Sequence, residues 1–460
     1  MDSGGFLTAR DRHVNNRSKR QISNQGEDMI SKLPDDIIVH ILSFLPMRDA
    51  IRTSILSQRW IYMWTFLANL CFGDQKHGIY SQEKINKTTF INFVCRMMLH
   101  LNTSNINIFD LSLSEKYDPF IFSELISRVS NKNVREISVS SRKQCNISCY
   151  PILKCQSLEK LRLSMDSIIQ FPSFVCLSSL TVLNLIAMEY TMNITCYSSN
   201  QSKELTLNFP VLREYKSYDC IWLDVKRVTI EAPLLEKVEI SRQWLRSYDV
   251  SHAEIVIRAS YVTKYRYEGY ISLETILLDA HVAKASIFLT KSNVKSGQQM
   301  KNFFCKLFNI NNLKRLKLIQ DLAPMKPYLV DIPAFQMLGY LHLYYSLTFE
   351  LLLALLLKSP CLETLVLQAI DSYTEPPDFA IVPECFLSTL KVVRFENFDG
   401  GELELSFAKF VMENSQFLES ISFSCYRLGR EKIEKIKEKM FLVNRSFNIE
   451  YSAHSVTFKV

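Results

Sequence analysis

The chain has 460 residues, a formal net charge of +7 and 47% hydrophobic against 22% charged residues, a balance that suits a soluble globular protein of about two or three domains. Only 11 residues are glycine, which leaves little for phosphate-cradling loops, and the mild positive charge lacks the concentration of a nucleic-acid-binding patch. The longest aliphatic run, Leu351–Leu357, is far short of the roughly 20 residues that a bilayer span needs, so neither a nucleic acid nor a membrane is an expected partner.

Residues 1–28 are polar and carry Arg10, Arg12, Arg17, Lys19 and Arg20 among Ser, Asn and Gln. They read as a disordered basic arm, with a nuclear localisation signal around Ser18–Gln21 as the sharper alternative. The first residues lack the apolar core of a signal peptide. The 12 cysteines are scattered; the one tight group, Cys145, Cys149 and Cys155, has no C-x-x-C pair and no histidine at zinc-finger spacing. Reduced thiols in a cytoplasmic or nuclear protein, with no metal site, are the expectation.

Residues 29–75 are the first folded unit. Pro34 suits a first helical turn, where its missing N–H costs nothing, and Asp35 and Asp36 set negative charge against the positive end of the helix dipole. Ile37, Ile41 and Phe44 recur at helical spacing, and Ile38, Leu42 and Leu45 repeat it one residue on, until Pro46 ends the helix. A second piece from Arg48 and a third around Arg59 add Ile51, Ile55, Leu56, Trp60, Ile61 and Trp64. Three such helices close one small core, yet the first is apolar on too many sides for a monomer. Either the neighbouring domain covers the surplus, or it is a docking face for another protein's helices, the reading preferred here.

Residues 76–129 read as a linker and the N-terminal cap of a solenoid. From about residue 130 the chain returns to an L-x-x-L-x-L cadence: Leu158-Leu161-Leu163, Leu180-Leu183-Leu185, Leu313-Leu316-Leu318, Leu338-Leu341-Leu343 and Leu362-Leu365-Leu367. Looser copies start at Val134, Leu235, Leu390 and Leu418. The period lies in the roughly 20–29-residue range of leucine-rich repeats. The last two apolar positions of a unit are two apart, so they leave a short strand on one side, and only stacking of units can bury them. The fold class is α/β: a small three-helix unit, then an irregular leucine-rich-repeat solenoid over 130–382. Its parallel strands line the concave face, with helices or loops such as Thr348–Pro360 outside. Between 241 and 305 the cadence blurs, and two degenerate repeats are assigned there.

Residues alternating with the buried pair should line the concave face: Lys160, Arg162, Lys216, Lys237, Arg315, Lys317 and Arg394 against Glu136, Glu214, Glu239 and Glu396, with the aromatic group Tyr340, His342 and Tyr344. Either these charges serve solubility or they read an acidic or phosphorylated partner. Arg162, Arg315, Lys317, Tyr340, His342 and Tyr344 are the candidate target-binding residues. Enzyme signatures are missing: no phosphate-binding glycine loop, no G-x-S-x-G and no H-E-x-x-H. The eight histidines are dispersed, with His40 expected at the rim of the first helix. Catalysis and a cofactor are not expected.

Leu33-Pro34, the ILSFLP run Ile41–Pro46, LSQRW from Leu56 to Trp60 and then Trp64 resemble the F-box, the module that docks substrate receptors on the Skp-type adaptor of SCF ubiquitin ligases. With the repeats, and with CFLSTLKVVRFENFDG at 385–400 followed by ELELSFAKFVMENSQFLESISF, the chain resembles the plant F-box/FBD/leucine-rich-repeat family, its FBD-like region spanning 383–455. The resemblance implies a non-catalytic receptor joined through the adaptor to a cullin-based ligase. Leu33, Pro34, Ile37, Ile41, Leu42 and Leu45 would touch the adaptor, while Leu56, Trp60 and Trp64 would hold the helices together, Leu56 and Trp60 also reaching the adaptor at the edge. A small-molecule sensor and a repeat scaffold without a ubiquitin role are the competing readings.

Overall fold

A computed structural model describes residues 30, 32–74, 86–143, 150–165, 168–186, 194–198, 204–223, 225–242, 254–269, 275–289, 313–319, 334–344, 348–368, 381–398, 401–424, 430–441, 448–452 and 455–459. The basic arm, the candidate localisation signal in it, Cys145 and Cys149 lie outside these residues. The chain divides into two units between Trp64 and Thr65.

In the first unit, α-helices Asp35–Leu42 and Met47–Arg52 start at Pro34 and Pro46, whose fixed backbone suits the cap. The third piece, Gln58–Phe66, is a 3₁₀-helix: Trp60, Ile61, Tyr62, Trp64 and Phe66 supply bulky and β-branched side chains that lose rotamer freedom in an α-helix. Ile38, Leu42, Met47, Ala50 and Trp60 are buried. Arg59 Nε donates to Asp35 Oδ1 at 3.0 Å, tying the 3₁₀ segment to the first turn of the first helix.

Among the described residues, the second unit is built on a sixteen-stranded sheet whose first fourteen strands in spatial order run parallel. In-register pairs such as Leu161↔Leu183 and Leu163↔Leu185 stack the cadence positions of one unit on those of the next. The series starts earlier than the leucines announce. Strands Asn69–Gly73 and Ile108–Leu113 open the sheet, burying Leu67, Leu70 and Phe72, then Ile106, Phe109 and Leu111. Two described strands, Lys264–Gly269 and Lys284–Leu289, continue the series between 241 and 305. Their cadences read Val262-Tyr265-Tyr267 and Val282-Ala285-Ile287, all buried.

The opposite layer changes along the chain. At the N-terminal end it holds helices Lys87–His100 and Pro119–Ser130, capped by the Asn86 and Asp118 carboxamide and carboxylate oxygens; at the C-terminal end it holds Phe349–Leu357, Glu384–Ser388 and Glu402–Asn414. In the middle it is a second parallel sheet, Phe174–Cys176, Glu204–Asn208, Arg227–Glu231, Glu254–Val262 and Thr275–Val282. The cause is local: Leu205/Leu207, Val228/Ile230 and Ile255/Ile257 bury side chains at period two rather than at helical spacing. A cavity of about 20 Å³ between Leu163, Leu185, Leu207, Tyr215 and Trp222 is apolar; it has room for about one water and none for an organic ligand.

The sheet ends on the antiparallel pair Asn448–Ser452 and Ser455–Lys459, the latter bonded to Ser420–Ser424. Phenylalanines pack the closing layers: Phe423 stacks on Phe395 with centroids 4.9 Å apart, and Phe458 approaches Phe423 at 6.2 Å. No described helix is long and apolar enough to cross a membrane.

Candidate functional site

In the first unit the helix Asp35–Leu42 buries one stripe and presents the other. Leu42 is 0% exposed and its neighbour Ile41 39%. Ile37 and Ile41 are exposed one helical turn apart, Phe44 and Leu45 are exposed just past the helix end at Leu42, and Ile55, Leu56, Ile61 and Tyr62 are exposed further along the module. Pro34 is exposed and Leu33 half-buried at the start of the helix. His40 is exposed, its ring edge-on to Phe44 at 4.9 Å.

Two sequence expectations change here. Leu42 and Trp60, expected at the adaptor contact, lie buried inside the module and support its exposed apolar residues from beneath. Leu56 is 63% exposed and does not clamp the helices; it belongs with the surface residues. Leu42 sits on the stripe with Ile38, both buried as Met47, Ala50 and Trp60 are, and a pattern apolar on both stripes cannot tell which one turns inward.

On the solvent side of the long sheet, the alternating residues separate into two zones. Through the earlier strands the charges answer one another. Glu136 holds Lys160 and, at 3.5 Å, Arg162. Lys216 bridges Glu214 at 2.9 Å and Glu239 at 4.0 Å, and Lys237 reaches Glu214 at 4.0 Å. Glu239 also accepts from Lys264 at 3.3 Å and from the Tyr218 hydroxyl at 2.8 Å. Burial pushes the Glu239 carboxyl up, but Tyr218, Lys216 and Lys264 together outweigh it and hold it below the usual carboxylate range. Burial and the Glu239 hydrogen bond raise the Tyr218 hydroxyl to about 12. Arg162, expected as a target contact, is thus engaged within the sheet.

From strand Lys284–Leu289 onward the pattern changes. Lys284, Arg315, Lys317 and Arg394 have no acidic partner among the described residues. The Arg315 guanidinium lies 3.9 Å over the Tyr340 ring. Tyr340 stands edge-on to His342, whose ring stacks on Tyr344 at 3.9 Å. His342 is 3% exposed, with Nε2 3.2 Å from Glu396 Oε2. The ring is therefore a support between two tyrosines and not itself a contact. Burial lowers the His342 pKa, Glu396 opposes and Lys317 adds to the lowering, with a net downward shift. Lys264, Arg266 and Lys284 were missed on the sequence because their units lack leucine; the Val-x-x-Tyr-x-Tyr and Val-x-x-Ala-x-Ile spacings would have found them. Among the described residues no group of His, Cys, Asp or Glu is arranged to hold a metal ion.

The comparison with known families settles what the first unit is. The F-box domain profile matches residues 30–70, and the FBD profile matches residues 379–423. The chain carries an F-box and an FBD domain. Over most of its length it is similar to Arabidopsis thaliana proteins of the same composition. An F-box/FBD/LRR-repeat protein is 28% identical over 87% of this chain and 89% of its own length. A second is 28% identical over 95% and 98%, and an FBD-associated F-box protein 26% identical over 94% and 98%. The F-box is in general the part of a ubiquitin-ligase adaptor system that binds Skp-type adaptors of cullin-based ligases. The FBD match covers strands Val392–Phe395 and Ser420–Ser424 with helices Glu384–Ser388 and Glu402–Asn414, the last two parallel units before the antiparallel end.

Proposed function

We propose that the chain is the non-catalytic substrate-recognition subunit of an SCF-type ubiquitin ligase, docking on the Skp-type adaptor through its F-box and holding a target protein on the solvent side of its long sheet. One observation carries the reading: within the F-box match, Ile37, Ile41, Phe44 and Leu45 stay exposed on a folded module whose core is closed by Ile38, Leu42 and Trp60. Exposed apolar residues gathered at helical spacing are the surface a partner helix covers. Ubiquitin transfer then depends on proximity, with no reacting group supplied by this chain. The scattered thiols support a cytoplasmic or nuclear site of action.

The test is capture of purified Skp-type adaptor by the full chain. Ile41→Asp with Leu45→Asp puts charge into a contact that must be dry, and binding should fall by about 100-fold or more, while the melting temperature holds because both side chains already face solvent. Capture at the wild-type level would reject the docking assignment. The same double variant, kept full length, is the bait for identifying targets by mass spectrometry, since captured proteins are then spared from transfer.

A further inference from the structure

We infer that Lys284, Arg315 and Lys317 form a receptor for a phosphorylated segment of the target protein. The inference rests on the reading that the solvent side of the sheet takes the target, and it names the chemistry read there.

The placement starts from register. Lys237 pairs with Lys264, and Lys284 with Arg315; the alignment of Tyr265 with Ala285 sets Lys264 beside Lys284. Four successive strands thus put a cation at one position, an arrangement that destabilises a sheet because like charges face one another directly. The first two are answered by Glu214 at 4.0 Å and Glu239 at 3.3 Å. Among the described residues Lys284 and Arg315 are not, and neither is Lys317, two residues along the same strand and on the same side as Arg315. Nothing in the packing of the sheet requires three uncompensated cations on two adjacent strands.

Neighbouring strands lie about 4.8 Å apart and same-side residues of one strand about 6.6 Å apart. Three long basic side chains on that grid can converge on a single anion. The Tyr340 ring under the Arg315 guanidinium at 3.9 Å holds the fork in place, and Tyr340 is in turn braced by His342 and Tyr344. An arginine fixed this way matches the bidentate geometry of a phosphate.

The number of cations favours phosphate over carboxylate. A phosphorylated side chain carries roughly −1.5 to −2 charge and three strong acceptor oxygens, against one charge and two oxygens for Asp or Glu. A continuous polyanion fits less well. The sheet on either side carries Glu239, Glu268 and Glu396, each already beside a cation or His342, so a nucleic-acid backbone running along it would meet like charges within a few strands.

The experiment uses the purified full chain bound to its Skp-type adaptor. The probes are fluorescein-labelled peptide libraries with a fixed central phosphoserine, phosphothreonine or phosphotyrosine between degenerate positions. Controls are the same libraries unphosphorylated, libraries with Asp at the centre, and a single-stranded oligonucleotide. At least one phosphorylated library should bind about 10-fold tighter than every control. Lys284→Ala with Arg315→Ala and Lys317→Ala should lose that 10-fold. The triple variant should keep its melting temperature and its adaptor capture, because these side chains hold no ion pair among the described residues. Arg135→Ala, which removes an exposed cation paired with Glu159 elsewhere on the unit, should leave binding unchanged. Equal binding of phosphorylated and unphosphorylated libraries, a triple variant that binds like wild type, or an Asp library or oligonucleotide that binds as well as the phosphopeptide would each overturn the assignment. Adaptor capture is read separately, so such a failure leaves the docking assignment of Ile41 and Leu45 standing.

Discussion

Along the long sheet every apolar position of the cadence is covered by the strands beside it, from Leu67-Leu70-Phe72 to Leu418-Ile421-Phe423. In the F-box the helix Asp35–Leu42 covers Ile38 and Leu42 and leaves Ile37 and Ile41 in solvent. A stacked repeat has a neighbour on each side within the same chain, so its apolar residues are satisfied by folding. A three-helix module has no such neighbours. On the proposed reading the apolar face left over there is covered by association, and the two regions should respond to substitution in opposite ways: stability in the sheet, binding in the F-box.

The largest loss of stability is expected in the sheet. Leu316 is fully buried between strands, and Leu316→Ala should cost about 2–5 kcal/mol in chemical denaturation. Adaptor capture at low temperature should be unchanged; loss of capture with the chain still folded would break the separation of roles.

Within the F-box, adjacent residues give the sharper contrast. Leu42→Ala should destabilise the module by about 2–5 kcal/mol, whereas Ile41→Ala should move stability by less than about 0.5 kcal/mol and weaken adaptor binding about 10-fold. A thermal melt and a titration of each variant check this, and the pattern reversed would mean that the inward stripe is the other one.

One unit departs from the apolar rule. In Leu212-Tyr215-Ser217 the last position is Ser217, whose buried Oγ has no hydrogen-bond partner among the described residues. Ser217→Ala removes an unpaired hydroxyl and should raise stability by roughly 1 kcal/mol; a loss of similar size would show that the hydroxyl is satisfied.

A smaller effect is expected at His342, whose pKa is held below its ordinary value of about 6.5. Above that pH the ring is neutral folded and unfolded and contributes nothing. As the pH falls through it, the unfolded chain takes up the proton first, so stability is lost until the lower folded value is passed. Denaturant midpoints at pH 7.5 and 5.5 should differ more for wild type than for His342→Gln. An equal pH dependence in the two would mean that Glu396 cancels the burial.

The smallest effect belongs to the exposed ion pairs. Arg213 and Glu236 are in contact with side chains about half exposed, and Arg213→Ala should change stability by less than about 1 kcal/mol. A larger loss would make the surface charges structural and weaken the contrast between the paired and unpaired zones of the sheet.

The cadence was legible wherever leucine filled it, and so was the F-box, because Pro34, Pro46 and the two apolar stripes leave few alternatives. What stayed hidden had the same spacing in other side chains. Tyr265 and Tyr267 do the packing of leucines but read as polar or aromatic surface, and Ala285 leaves a gap in the pattern that Val282 and Ile287 alone do not close. The second sheet of the middle layer was written in short alternating runs such as Leu205/Leu207, too brief to outweigh the expectation of helices. The ion pairs could not be read at all, since Glu136 meets Lys160, 24 positions along the chain, only after register is set. With them went the distinction between Arg162, paired with Glu136, and Arg315, which has no acidic partner among the described residues.

The central claim is that adaptor and target occupy different units. Amide hydrogen exchange of the full chain, with and without saturating Skp-type adaptor, tests it most directly. Slowed exchange confined to residues 33–64, with strands Arg315–Ile319, Tyr340–Leu343 and Thr364–Leu367 unchanged, is the predicted result. Protection over those strands with none over residues 33–64 would contradict it.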